Sequence, residues 1–176
     1  INFLSEKGFE EHITWNNLYE KVCKFSNYLK KLNLKKGDRV AAYVPNKIET
    51  IISFLACAKN GIIWSSCSPD FGVQGVVDRF KQIEPKVLIT SDYYFYNGKK
   101  INILDTVDEV IKQIPSIEKV IVYSYYKKEK ENLKNFIDFE ETLNIASDET
   151  FERFEFNHPI YILFSSGTTG KPKCIT

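Results

Sequence analysis

Residues 39–44, 62–66 and 87–90 are short apolar runs, and two helical patterns, at about 48–59 and 72–84, separate them. The first run ends at Pro45-Asn46, the first helix at Asn60-Gly61 and the second at Pro85, so each connection is only a few residues long. Parallel strands need a crossover between them, and a helix supplies it. Strand–helix–strand–helix–strand with short links therefore predicts an α/β fold, a mostly parallel sheet flanked by helices. The pattern continues on both sides. Residues 1–13 read as an extended lead-in. With Thr14 as N-cap, Trp15, Leu18, Val22, Phe25, Leu29 and Leu32 recur every three or four residues and form one apolar helix face to about residue 33. That face is expected to be core, each side chain contributing about 1.5–3 kcal/mol when buried. Downstream, Asn97-Gly98 predicts a tight turn between 93–96 and 101–103. Asp105 is expected to cap a helix reaching Ile114, 119–123 reads as a strand, and 139–143 as a short helix. The mixed-charge run 127–131 reads as a solvated loop.

A last apolar run, 161–164, leads into Ser165, Ser166, Gly167, Thr168, Thr169, Gly170, Lys171, Pro172 and Lys173. The two glycines let backbone N–H groups turn toward an anion. The four hydroxyls are donors. The two lysines bring charge, and a well-made hydrogen bond from a charged group contributes about 1.5–3 kcal/mol. A polar hairpin turn is the alternative reading, but a turn alone requires none of these hydroxyls or lysines. The Walker pattern is excluded, because only two residues separate the glycines and Pro172 follows Lys171. In an α/β sheet such a loop is expected at the carboxyl ends of the strands, where ligands bind.

Composition bounds the function classes. Twenty-four Lys and Arg against 23 Asp and Glu give a net charge of +1, which offers no case for a nucleic-acid or membrane partner. Cys23, Cys57, Cys67 and Cys174 include no C-x-x-C pair, and only His12 and His158 could join them. A zinc site is not expected, and free thiols in a reducing compartment, the cytoplasm, are. His158 has no evident acid partner near Ser165 or Ser166, so no nucleophilic triad is assigned and no catalytic residue is named. The chain starts with Ile1 and stops three residues after the loop, and it is expected to be part of a longer one.

The loop resembles the phosphate-binding signature of the adenylate-forming enzymes, the acyl-CoA synthetases, peptide-synthetase adenylation domains and luciferases. Ile13-Thr14-Trp15, 36–41 and Tyr43-Val44-Pro45-Asn46 are similar to the family's opening stretches in the same order. Within the family, 64–72, 75–80 and 82–86 are similar to the acetoacetyl-CoA synthetase branch, and Cys174-Ile175-Thr176 also suits it. Physically, 64–86 reads only as a strand, a cap and a helix, with Asp70, Asp78 and Arg79 as a cap and surface charges.

The resemblance implies that residues 1–176 are an incomplete N-terminal large adenylating domain, with the adenine pocket, hinge and small C-terminal domain outside them. It implies activation of acetoacetate by ATP with Mg²⁺, transfer to CoA, and the remainder of the chain as partner. Ser165, Ser166, Gly167, Thr168, Thr169, Gly170, Lys171 and Lys173 would hold the ATP phosphates. Tyr96, Asn97, Gly98 and Lys99 align with a stretch that touches CoA, although Tyr96 stands where the family has an arginine; a surface turn is the alternative there. Acetyl- or propionyl-CoA synthetase and a non-catalytic phosphate-binding module remain the competing readings.

Overall fold

The computed structural model describes residues 1–126, 136–165 and 170–176; the charged run 127–131 lies outside them. The lead-in is a hairpin, β1 (Asn2–Leu4) antiparallel to β2 (Glu10–His12). Helix α1 (Trp15–Lys31) starts where expected: Thr14 is extended and its Oγ1 accepts from the Asn17 N–H at 3.2 Å. Leu18, Val22, Phe25 and Leu29 are buried and Leu32 is half-buried, but Trp15 is 77% exposed. The stripe is core except at its first member. Trp15 stands at the opening turn of α1, on the rim of a groove shared with Leu55 and Phe151.

The sheet follows the alternation. β3 (Arg39–Tyr43), α2 (Ile48–Lys59), β4 (Ile63–Cys67), α3 (Val73–Ile83) and β5 (Val87–Ser91) run in sequence, and these strands pair in parallel. The chain then forms the antiparallel hairpin β6 (Tyr93–Tyr96) and β7 (Lys99–Asn102), helix α4 (Leu104–Gln113), β8 (Lys119–Tyr123), β9 (Ile137–Asp138) and the short α5 (Phe139–Thr142). The N-cap of α4 is Ile103 rather than Asp105, which falls in the first turn; the Asn102 side chain accepts from the Leu104 N–H instead. Likewise Gly72, not Asp70, caps α3.

Strand order is β4-β3-β5-β8-β9. From β3 the chain moves one way to β4, then crosses back over β3 to β5. Crossovers of one hand therefore put α2 and α3 on opposite faces. The burial pattern of β3 shows both faces covered: Val40 and Ala42 join the core under α1 and α2, while Ala41 and Tyr43 join the core under α3 and α4. This is why the strands read as continuous apolar runs rather than alternating ones.

Gly61, just past α2, has φ +65°, and an added Cβ would lie 2.6 Å from the Phe154 ring. Its carbonyl oxygen lies 2.9 Å from His158 Nε2, and Phe154 stacks on His158 at 5.0 Å. Gly61→Ala should therefore destabilise by about 1–3 kcal/mol, from left-handed backbone strain plus displacement of the ring. A urea midpoint indistinguishable from the parent protein would refute that. Cys23 and Cys57 are buried free thiols, as expected, and burial pushes the Cys57 thiol far up. Among the described residues no helix is long and apolar enough to cross a membrane.

Candidate phosphate-binding loop and neighbouring sites

The segment that delivers the loop runs beside the edge strand β4. Tyr161 bridges Trp64 in parallel; the Trp64 N–H donates to Ile160 O at 3.0 Å, the Ile162 N–H to Trp64 O at 2.8 Å, and Ser65 Oγ to Ile162 O at 2.8 Å. The Ser66 and Tyr161 hydroxyls also hydrogen-bond. Ile162 is buried in the core under α3, which fixes the chain just before the loop. The parallel direction carries it toward the carboxyl end of β4, as the sequence predicted. Beyond Ile162 the path departs from expectation. The expected strand 161–164 is not a full member of the main sheet: β10 (Leu163–Ser165) leaves it and pairs antiparallel with β11 (Lys173–Ile175). The loop thus closes a hairpin. A hairpin and an anion cradle are compatible, because the hairpin sets the loop's two ends side by side.

Of the predicted phosphate-binding residues, Ser165, Gly170, Lys171 and Lys173 are described, and Ser166, Gly167, Thr168 and Thr169 lie outside the described residues. Ser165 pairs directly with Lys173 across the hairpin. Gly170 has φ +130°, a backbone state that side-chain-bearing residues rarely adopt, so glycine is needed there. Lys171 and Lys173 are exposed, and no described carboxylate pairs with either. Two nearby ammonium groups without a described protein counter-ion fit a polyanion.

Helix α3 anchors the far side of this hairpin through one side chain. Gln82 Nε2 donates to Pro172 O at 2.8 Å and to Asp78 O at 2.6 Å, while Gln82 Oε1 accepts from the Cys174 thiol at 3.6 Å. In the sequence, Gln82 and Cys174 carry no signal beyond the family resemblance. Their pairing over 92 positions gives them a physical task, holding β11 against α3. The turn between β4 and α3 is also fastened: the Tyr43 hydroxyl lies 2.7 Å from Pro69 O and 2.6 Å from Phe71 O. Burial pushes the Tyr43 phenol up, so it stays a donor, and pushes the buried Cys67 thiol up to about 12, so it is not a nucleophile at neutral pH. The Arg79 guanidinium stacks on Phe71 at 4.1 Å and donates to Gly75 O at 2.7 Å.

The second predicted stretch, Tyr96 to Lys99, is the β6–β7 turn. Asn97 and Gly98 have φ +49° and +74°, the pair of left-handed residues that a two-residue hairpin turn wants. Their N–H groups already have a partner within the chain. Both donate to the Glu6 carboxylate, at 3.1 and 2.8 Å. Tyr96 and Lys99 are exposed. The turn's anion-binding amides are thus satisfied by an internal carboxylate from the β1–β2 hairpin.

A polar cleft that the sequence did not signal, about 460 Å³, opens near the carboxyl end of β8. Glu11, Lys47, Glu49, Tyr123 and Asp138 are among its lining residues. Lys47 is 3% exposed, with Nζ 2.8 Å from Glu11 Oε1, 3.6 Å from Glu49 Oε2 and 2.7 Å from Tyr125 O. Burial raises the Glu49 carboxyl, against the pull of Lys47. The carboxylates that meet the Lys47 charge are internal, and the cluster joins three segments of the fold.

Likeness to other proteins extends over this whole arrangement. The AMP-binding enzyme family profile matches residues 3–176. Acetoacetyl-CoA synthetase of Xenopus tropicalis is 42% identical over 175 residues, which is 94% of this chain and 26% of that protein. Acetoacetyl-coenzyme A synthetase of Rhizobium meliloti (strain 1021) is 44% identical over 177 residues, 98% of this chain and 27% of that one. The solved structure of acetoacetyl-CoA synthetase from Streptomyces lividans superposes with a TM-score of 0.92 at 37% identity, covering 99% of this chain and 27% of its own. The chain thus spans about a quarter of the length of these relatives.

Proposed function

Because the chain belongs to the AMP-binding enzyme family, we propose that residues 1–176 form the phosphate-holding part of an ATP-dependent acetoacetate–CoA ligase. The carboxylate of acetoacetate attacks the α-phosphorus of ATP, giving acetoacetyl-adenylate and pyrophosphate. The CoA thiol then attacks the acyl carbon, forming the thioester and releasing AMP and the thiol proton. This chain's share of the work is positioning and charge stabilisation at the loop, and none of its residues acts as nucleophile or base. Ser165, Gly170, Lys171 and Lys173, with the loop residues between them, hold the β- and γ-phosphates. Mg²⁺ bound with the ATP shares their negative charge. CoA contact at Tyr96 to Lys99 has less support, since Glu6 occupies the amides of that turn. The reducing cytoplasm suits the four free cysteines.

Likeness to acetoacetyl-CoA synthetases along nearly the whole chain is the observation that carries the reading. The test is ATP–pyrophosphate exchange by the full-length protein with acetoacetate, acetate and propionate in parallel. Acetoacetate should support the fastest exchange. Preference for acetate or propionate would move the protein to another branch, and no exchange with any short carboxylate would favour a non-catalytic phosphate-binding module.

A further inference from the structure

Gln82 is an exposed residue of α3, yet both polar atoms of its side chain are engaged. Nε2 carries two hydrogens. One goes to Asp78 O, a turn back along the helix, at 2.6 Å, and the other to Pro172 O at 2.8 Å. Oε1 accepts from the Cys174 thiol at 3.6 Å. Both acceptors of Nε2 are carbonyls, so the amide has one orientation; turned over, its oxygen would face two carbonyl oxygens. The helix that presents it is firmly seated, because Val76, Val77, Phe80 and Ile83 are buried in the core.

What Gln82 holds is the segment that carries the two loop lysines. Pro172 has no N–H, so its carbonyl is the one backbone group it can offer, and its ring fixes φ near about −65°. Lys171 and Lys173 flank it, each one Cα step of about 3.8 Å away. A bond to Pro172 O therefore sets where both lysine side chains leave the backbone. The segment lies against α3 at both of its ends. Lys171 lines a polar cavity of about 240 Å³ with Asp78, Lys81 and Gln82, and Cys174 reaches Gln82 Oε1. On the other strand of the hairpin, Ser165 pairs with Lys173. Gln82 and Cys174 are both exposed, so losing their bonds strands no buried polar group, and the consequence falls on the loop rather than on the fold.

We propose that Gln82 is a positioning residue for the nucleotide: acting through Pro172, it holds Lys171 and Lys173 where they meet the ATP phosphates. This rests on reading the loop as an ATP phosphate site, not on the identity of the acyl substrate. The test uses the full-length protein with Gln82→Ala and Gln82→Glu. Glutamate keeps the shape of glutamine but sets a carboxylate oxygen where Nε2 donated, against two carbonyl oxygens. Binding of Mg·ATP, measured by titration calorimetry with no carboxylate substrate present, should weaken about 3- to 10-fold in both variants. KM for ATP in pyrophosphate exchange should rise by the same factor. KM for acetoacetate, thioester formation from supplied adenylate and the urea midpoint should stay nearly unchanged. In Gln82→Ala, iodoacetamide should alkylate Cys174 faster, as located by peptide mass, because β11 is released from α3. ATP affinity equal to that of the parent, unchanged alkylation of Cys174, or an equal loss in both half-reactions with a lowered urea midpoint would each overturn the proposal. A parent protein that binds Mg·ATP but exchanges pyrophosphate with no short carboxylate would end the ligase reading, and weakened ATP binding by the variants would still support the role of Gln82. No binding of Mg·ATP by the parent would overturn both.

Discussion

Replacing Lys47 by alanine should destabilise the protein by about 2–4 kcal/mol, far more than a surface lysine would. The side chain is 1% exposed. Its removal leaves the Tyr125 carbonyl without its donor, which costs about 1–3 kcal/mol. It also removes the ammonium group from over the Phe3 and Tyr125 rings, whose centroids lie 5.5 and 5.8 Å from Nζ. Breaking a wholly buried ion pair costs about 3–5 kcal/mol. The Glu11 side chain is 30% exposed and can recover some hydration, so the expected value falls below the top of that range. The deficit should shrink as pH falls through the range of the Glu49 carboxyl, which burial raises, because Lys47 stabilises that carboxylate only while it is ionised. Urea unfolding of the full-length variant at several pH values measures both effects. A deficit no larger than that of an exposed lysine would show that the cluster is peripheral.

Lys173→Ala in the full-length protein should slow the adenylation half-reaction by about 10- to 100-fold, the rate equivalent of one charged hydrogen bond of about 1.5–3 kcal/mol. Thioester formation from supplied acetoacetyl-adenylate should be nearly unchanged. The reason is geometric. Lys173 lies opposite Ser165 at the mouth of the β10–β11 hairpin, exposed and without a described carboxylate partner, so it can meet phosphate oxygens. By then the second half-reaction has lost the β- and γ-phosphates. Pyrophosphate exchange and single-turnover thioester formation separate the two steps, and equal loss in both would assign Lys173 a structural role in β11.

Local rules were legible because they act within a few residues. Thr14 caps α1 by reaching three positions along the chain. Asn97 and Gly98 turn the β6–β7 hairpin because their own backbones tolerate positive φ. The composition of 165–173 reads as an anion loop because each residue type carries its donors and charge with it. Where reasoning from neighbours failed, the deciding partner was remote. Trp15 shares the spacing of a core residue, yet no described element covers its side chain. The Asn97-Gly98 turn shows amides suited to an anion, and Glu6, 91 and 92 positions away, fills them.

The sequence by itself determined the alternation of strands and helices, where most of them begin and end, and which donors and charges the loop from Ser165 to Lys173 carries. Backbone sterics and hydrophobic periodicity are short-range and repeat along the chain. Only the tertiary structure decided the order β4-β3-β5-β8-β9, the departure of β10 from the main sheet into a hairpin gripped by Gln82, and the burial of Lys47. A buried lysine charge is costly unless carboxylates and carbonyls meet it, and here, beside the neighbouring Glu49, Glu11 and the Tyr125 carbonyl come from 36 and 78 residues away, a coincidence that only packing creates.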